Sequence, residues 1–384
     1  MGEENFDMVA FARAWLNAEE EAGQAFAPLL LATPTGLWRS EMNRDPNLRR
    51  YGTIHALLDA VFDQVLYQPE HATERAVVLV DYVDGVAVPT ARYQAFIGGY
   101  AWKVYANALR FAGKNPDALV AAQKSQAIFN RVGSLATEAA KAQLVEAVVL
   151  REIGTSPDEV LRLVLAAEKL LRGVEAEGYV NARIIHALVL TDSKRYAEAL
   201  ALLVETTEDA ERRGDKRAQA TCLHNTAEIA RAIGDIKRSR ELNRRARKHF
   251  EELGISVELP RLRWSEAMAL ADEGNTSEAI MECYRARTEF LALGMSGSAA
   301  DVGLEIVRIR FHRGENVMRE CAELVETLAK AGMIQPAIEA LAYLREQARM
   351  QAMSDAKIDW VRSFVRDSAN GIVRAFLPPP AVEK

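Results

Sequence analysis

An all-α fold, a right-handed α-α superhelix of about seven helical hairpins, is what this 384-residue sequence specifies. Glycine spacing carries the case first. Gly113, Gly154, Gly234, Gly274 and Gly314 recur at about 40 or 80 residues, with Lys194-Arg195 in the middle of the long step. A second series, Gly133, Gly173, Gly214, Gly254, Gly294 and Gly332, runs half a period out of phase. Glycine is favoured just past a helix end because left-handed backbone costs it little. Two series therefore mark two helix ends per unit. Small residues hold the same phase: Ala106, Ala147, Ala187, Ala227 and Ala267, with Val307 in the last unit, each stand seven residues before a mark. Close helix approach needs such residues. Past the turns come helix-start signals, Asn115-Pro116-Asp117, Ser156-Pro157-Asp158, Tyr196-Ala197-Glu198 and Thr276-Ser277-Glu278, which supply capping oxygens, Pro near the first position and early carboxylates. Ser125, Ala166, Thr206, Ala246 and Ala286 then mark the second helices.

Composition agrees with a large packed core: 49% of residues are apolar and 27% charged. A net charge of −6 argues against bulk nucleic-acid binding by the whole chain. Three cysteines, Cys222, Cys283 and Cys321, form no CxxC pair and read as small core residues of a reducing compartment. The first residues hold neither a basic-then-apolar leader nor a myristoylation signal, and no run of about 18 apolar residues occurs. A cytoplasmic protein, with no membrane contact, is expected.

In chain order, residues 1–48 hold an amphipathic stretch from Phe6 to Phe26, then Pro28, Pro34, Gly36 and Pro46 break it. They read as an N-terminal cap over an end repeat, or as a docking segment. A repeat domain spans residues 49–373. It opens with a degenerate unit to Gly85, Pro69 at its turn, and its last unit follows Gly332 and includes residues 354–373. Leu377-Pro378-Pro379-Pro380 ends helical structure, so residues 374–384 are expected to be a disordered tail.

Trp102, Ala106, Gly113 and Ala118, and again Ala267, Gly274, Ala279 and Ala286, fall at the large, small and turn positions of a known repeat. On these residues the chain resembles the tetratricopeptide-repeat (TPR) superfamily. Its period is about 40 residues rather than the usual 34. In this it looks like the longer repeats of MalT-like bacterial activators and of peptide-pheromone receptor regulators. The resemblance implies a bacterial, non-catalytic adaptor or regulatory scaffold that binds a protein or peptide in a concave groove. A ligand- or peptide-sensing regulator is the alternative.

Enzymatic signatures are absent: no P-loop, no GxGxxG after a strand, no HExxH and no GxSxG. The glycine cluster Gly294-Met295-Ser296-Gly297-Ser298 fits a helix connection, since a nucleophile elbow needs a preceding strand. Six scattered histidines show no metal-ligand spacing. No cofactor, metal or catalytic residue is expected.

One stripe at i, i+3, i+7, i+10 on the first helices should line the groove. It gives Tyr100, Lys103, Asn107 and Arg110, then Lys141 and Arg151, then Thr221, His224, Glu228 and Arg231, then Arg261, Trp264 and Met268, then Asp301 and Arg308. Asn225, beside His224, joins it as a candidate backbone clamp. The stripe leans basic, which suits an acidic or phosphorylated peptide. Its arginines could equally pair with neighbouring carboxylates, and Trp102 and Trp264 could belong to the core. Lys103 and Asn107 match half of the carboxylate clamp of chaperone-binding TPR domains. Leu144, Val145, Val148, Ile184 and Ile185 stand where the other donors would be.

The densest charge lies in a second helix, with Lys237, Arg238, Arg240, Arg244, Arg245, Arg247 and Lys248 around an apolar side of Leu242, Ala246 and Phe250. Nucleic-acid backbone or an acidic partner surface would suit it. Without interleaved aromatics, single-strand stacking is not expected. The plain alternative is a solvated convex face opposite the acidic run from Glu205 to Asp209.

Overall fold

The computed structural model describes residues 8–369 and 374–379. Within them are eighteen α-helices and no strand. Four precede the full-length repeats: α1 (Met8–Leu31), α2 (Trp38–Arg44), α3 (Tyr51–Gln64) and α4 (Pro69–Tyr82). Seven pairs follow, α5 (Ala91–Phe111) with α6 (Asn115–Asn130), α7 (Ala136–Glu152) with α8 (Pro157–Leu171), and α9 (Ala176–Asp192) with α10 (Tyr196–Arg213). The series continues with α11 (Lys216–Ala232) and α12 (Ile236–Glu252), and α13 (Leu259–Asp272) and α14 (Thr276–Ala292). It ends with α15 (Ser296–His312), α16 (Met318–Lys330), α17 (Gln335–Arg349) and α18 (Asp355–Ala369).

The turns behave as the glycine series requires. Ten of its eleven glycines have positive φ, and Lys194, which replaces glycine in phase, has φ 59°. At the ends of α7, α9, α11, α13, α15 and α17 the chain closes with a long bond back, as in Asp235 N to Ala230 O and Asn275 N to Leu270 O, which caps orphan carbonyls. Gly133 differs: it begins a 3₁₀ turn through Leu135 instead.

Ala106, Ala147, Ala187, Ala227, Ala267 and Val307 are all fully buried, as are Ser125, Thr206, Ala246 and Ala286. Ala166 breaks the pattern. It is exposed, and Ala167 takes its place beside Val160, Val164 and Leu171. The turn after Gly154 is one residue longer than the turn after Gly234, so α8 starts later and its inward stripe shifts by one. Cys222, Cys283 and Cys321 are buried, and burial pushes each thiol up to about 12. Such thiols are poor nucleophiles.

Two compact units divide these contacts. The first runs through Leu109 and includes Asp117–Glu146; the second holds Arg110–Pro116 and the chain from Ala147 on. In the first unit, the described part of residues 1–48 lies against the start of the repeat domain. α1 packs directly on α3, where a Cβ on Gly52 would stand 1.7 Å from the Glu19 carbonyl oxygen. Glu19 seals the seam, accepting from Gly52 N at 2.9 Å and from Arg50 at 2.8 Å. α1 also continues across Pro28 to Leu31 rather than breaking there. Burial of Ala27 and Leu30 outweighs the one helix bond that proline deletes. Phe6 lies outside the described residues.

The second unit ends differently from a plain repeat. α18 packs on α17 and also on α15. Arg362 of α18 reaches Glu305 at 2.7 Å, and His312 of α15 meets Asp355 at 2.9 Å. Part of the expected tail is ordered as well: Phe376 sits against Tyr343 and Phe364, and Trp360 Nε1 donates to Leu377 O at 3.0 Å. An aromatic side chain with apolar partners anchors this segment, which its prolines alone did not suggest. Residues 370–373 and 380–384 lie outside the described residues.

Candidate functional site

In the first unit, the stripe on α5 enters a polar cluster. Tyr100 donates to Asp59 Oδ1 at 2.6 Å, and Asp59 also meets His55 Nδ1 at 3.2 Å. Burial raises the Asp59 carboxyl, but these two hydrogen bonds outweigh it and hold it below the usual carboxylate range. Burial first, then Asp59, pushes the Tyr100 phenol up. Lys103 lies 4.9 Å from the centre of the Tyr100 ring and 3.2 Å from Glu138, which Lys141 also approaches. Asn107 donates back to Lys103 O at 3.1 Å. Lys103 and Asn107 therefore face partners within the chain, and the half clamp is internally satisfied.

In the second unit, the arginines of the stripe form a ladder between successive first helices. Arg110 pairs with Glu152 at 3.1 Å, Arg151 with Asp192 at 2.6 Å, and Arg231 with Asp272 at 3.1 Å. Each bond steps about one repeat along the chain. Arg308 is paired with Asp359 and lies near Asp355, both on α18, so the closing helix covers it. Among the described residues Arg261 approaches only Glu258, at 3.8 Å. The basic lean expected of the stripe is thus largely cancelled by carboxylates one helix away.

His224 and Glu228 are the two ends of one hydrogen-bonded chain across α11, α12 and α13. His224 Nδ1 lies 3.0 Å from Asn243 Oδ1, Asn243 Nδ2 donates to Ser265 Oγ at 2.6 Å, and the Ser265 hydroxyl donates to Glu228. Ser265 and Asn243 are buried, so this chain locks the relation of three helices. Nothing in the sequence marked Asn243 or Ser265, because their partners are 19 and 22 residues away.

Several polar atoms on the same helices have no hydrogen-bond partner among the described residues, Arg231 Nε on α11 and Ser239 Oγ and His249 Nδ1 on α12 among them. Asn225 Nδ2 and Trp264 Nε1 are shielded from solvent and make no hydrogen bond. The Trp264 ring packs edge-on against Phe290, 6.5 Å between centres, so the residue is both core and unsatisfied donor. A shielded unpaired donor costs about 1–3 kcal/mol.

On α12 the buried side is Ser239, Asn243, Ala246 and Phe250, with Leu242 only half-buried. Arg240 bridges to Glu266 at 2.8 Å and to Glu273 at 3.0 Å, and Lys248 approaches Glu252 at 4.0 Å. Lys237, Arg238, Arg244, Arg245 and Arg247 make no ion pair among the described residues. The acidic run from Glu205 to Asp209 does not answer them: Glu205 pairs with Arg183, and Asp209 with Arg212 and Arg213. Arg244 and Arg247 border a cavity of about 300 Å³ with Arg263 and Glu282.

Among the described residues no group of three or more His, Cys, Asp or Glu is placed to hold a metal ion, and no helix is long and apolar enough to cross a membrane. No protein-family model matches the chain, and no curated protein does. Solved structures do. The chain is similar to a Rap protein complexed with competence and sporulation factor, at 14% identity and TM-score 0.56, over 91% of this chain and 98% of that one. It is similar to the Rap conjugation gene regulator of plasmid pLS20 in complex with the Phr* peptide, at 12% identity and TM-score 0.50, over 79% and 96%. It is also similar to aspartyl phosphate phosphatase F from Bacillus subtilis, at 11% identity and TM-score 0.51, over 79% and 72%. These likenesses show the fold, an all-α TPR-like helical repeat.

Proposed function

We propose that this protein is a non-catalytic regulatory scaffold of the bacterial cytoplasm that binds a peptide on the first-helix face of α11 and α13. The observation that carries the reading is the pair of shielded, unpaired donors, Asn225 Nδ2 and Trp264 Nε1. In sequence they adjoin His224 and Ser265, two members of the hydrogen-bonded polar chain that ends at Glu228. Because the ladder neutralises Arg231, the peptide is held through its backbone and a few desolvated anchors, more than by net charge. Two of the similar structures are described as complexes with a peptide or factor, which supports the same reading. The 40-residue unit adds its resemblance to MalT-like activators, in which ligand sensing is the implied role. Tyr100, Lys103, Asn107, Arg110, Arg261 and Arg308 rank behind α11 and α13 as contacts, since all but Arg261 hold close partners within the chain.

The test is an array of unmodified peptides probed with the full chain and with Asn225→Ala and Trp264→Phe. Both variants should lose about tenfold or more in affinity for any retained peptide, since each removes one charge-neutral donor. Retention unchanged in both variants, or no retained peptide at all, contradicts the reading.

A second partner class is favoured by one observation, the five unpaired basic side chains of α12. An acidic protein face or a nucleic-acid backbone would answer them. Binding there should weaken steeply with salt, and Arg244→Glu with Arg245→Glu should abolish it while leaving peptide retention intact. Binding that is insensitive to salt would remove α12 from the account.

A further inference from the structure

An open trough of about 860 Å³ runs along the seam of α1 and α3 in the first unit, with Phe96 of α5 also lining it. Its size is that of a small-molecule site. The helices cross at Gly23 and Gly52, where neither position has room for a Cβ, and this close crossing fixes the floor. Residues of α1 from Leu16 to Leu31 and of α3 from Tyr51 to Asp59 form the walls.

The walls are aromatic and accept hydrogen bonds. The His55 ring stacks on Phe96, with centres 5.8 Å apart at 20°, and on Tyr51 at 6.1 Å. Tyr51 is backed in turn by Trp15 at 5.1 Å and by Tyr93 at 5.6 Å. His55 gives its Nδ1 to Asp59, so in the neutral ring Nε2 is an acceptor. Glu19, Glu20 and Asp59 add carboxylates, of which Glu19 is taken by Arg50 and Gly52, Asp59 meets Tyr100 and His55, and Glu20 is exposed. Of the fifteen lining residues none is Lys or Arg. The site offers ring faces, an imidazole acceptor and net negative charge, with no cationic donor of its own.

We propose that this trough binds an organic cation, an ammonium or guanidinium carried on an apolar body, with the charge against Asp59 and Glu20 and the apolar part against Phe96 and Tyr51. An anion would meet like charge there, and a purely apolar ligand would leave the Glu20 carboxylate unanswered. A cation over an aromatic face gains from the ring quadrupole as well as from the carboxylates. The cation could be a free amine or a basic side chain of a peptide, and the chemistry is shared.

Calorimetry on the full chain tests this with benzylamine, its neutral isostere benzyl alcohol, and benzoate. Benzylamine should bind saturably and about tenfold or more tightly than benzyl alcohol, and benzoate should not bind. Asp59→Asn should reduce that preference for the amine, and Phe96→Leu, which keeps apolar bulk, should weaken the amine more than the alcohol. Circular dichroism of both variants confirms the fold, and Glu20→Gln, an exposed change, gives a second reading if Asp59→Asn unfolds. An acetylated Leu-Lys-Leu amide that displaces benzylamine at lower concentration identifies a peptide side chain as the source, whereas weaker displacement identifies a free amine. Equal affinity for amine and alcohol, or no saturable heat with benzylamine at millimolar concentration, overturns the proposal.

Discussion

Lys194 puts a long side chain where the first-helix series has glycine, and its φ of 59° is left-handed, as is the φ of 52° at Gln351 after α17. That conformation costs an L-residue about 1–2 kcal/mol, part of which glycine gives back in chain entropy. Lys194→Gly should therefore stabilise the second unit by up to about 1 kcal/mol, and Gly234→Ala should destabilise it by about 1 kcal/mol, both read from urea midpoints. Opposite signs would disprove the capping account. Glycine positions were legible because backbone conformation is a local property. The hydrogen-bonded chain through Asn243 and Ser265 was not, since an isolated Asn or Ser on a helix says nothing about a partner on the next one. His224, Glu228 and Trp264 were marked by phase alone, and phase cannot tell a residue that faces a ligand from one that faces a neighbour.

At the scale of elements, α15 and α18 meet through charge. Burial pushes the Asp301 carboxyl up to about 6, although Arg362 and Arg366 pull it the other way. Between about pH 4 and pH 6 the folded chain then keeps a proton that the unfolded chain has lost. Stability from this group is thus complete at the acid end and falls as pH rises through that window. With some solvent reaching the side chain, the loss is on the order of 1–2 kcal/mol. Asp301→Asn should flatten this part of the stability curve measured by urea unfolding at several pH values, and an unchanged slope would rule it out. The sequence placed Asp301 and Arg308 on an open stripe because a repeat pattern extends each unit like the last. Docking of α18 onto α15 is an end effect, settled by contacts about fifty residues apart, as is the one-residue shift of α8 by its longer turn. Pro28 likewise argued for a break that packing of Ala27 and Leu30 overrides.

For the whole molecule, the fold class followed from periodicity, since each 40-residue unit buries its face only against neighbours and repeats the same small residues to do so. Function is less legible at this scale. A net charge of −6 coexists with α12, whose five unpaired basic side chains make a local field the total conceals. The stripe on the first helices looked basic in sequence, yet Arg231 and Arg151 are balanced by Asp272 and Asp192 on the next first helix. The proposed peptide site rests on two of the several shielded, unpaired polar atoms among the described residues, Asn225 Nδ2 on α11 and Trp264 Nε1 on α13. The most direct measurement of that claim is hydrogen–deuterium exchange of the full chain, with and without a peptide retained on the array. Protection centred on α11 and α13 is the expected result, and protection absent from both helices would contradict the account.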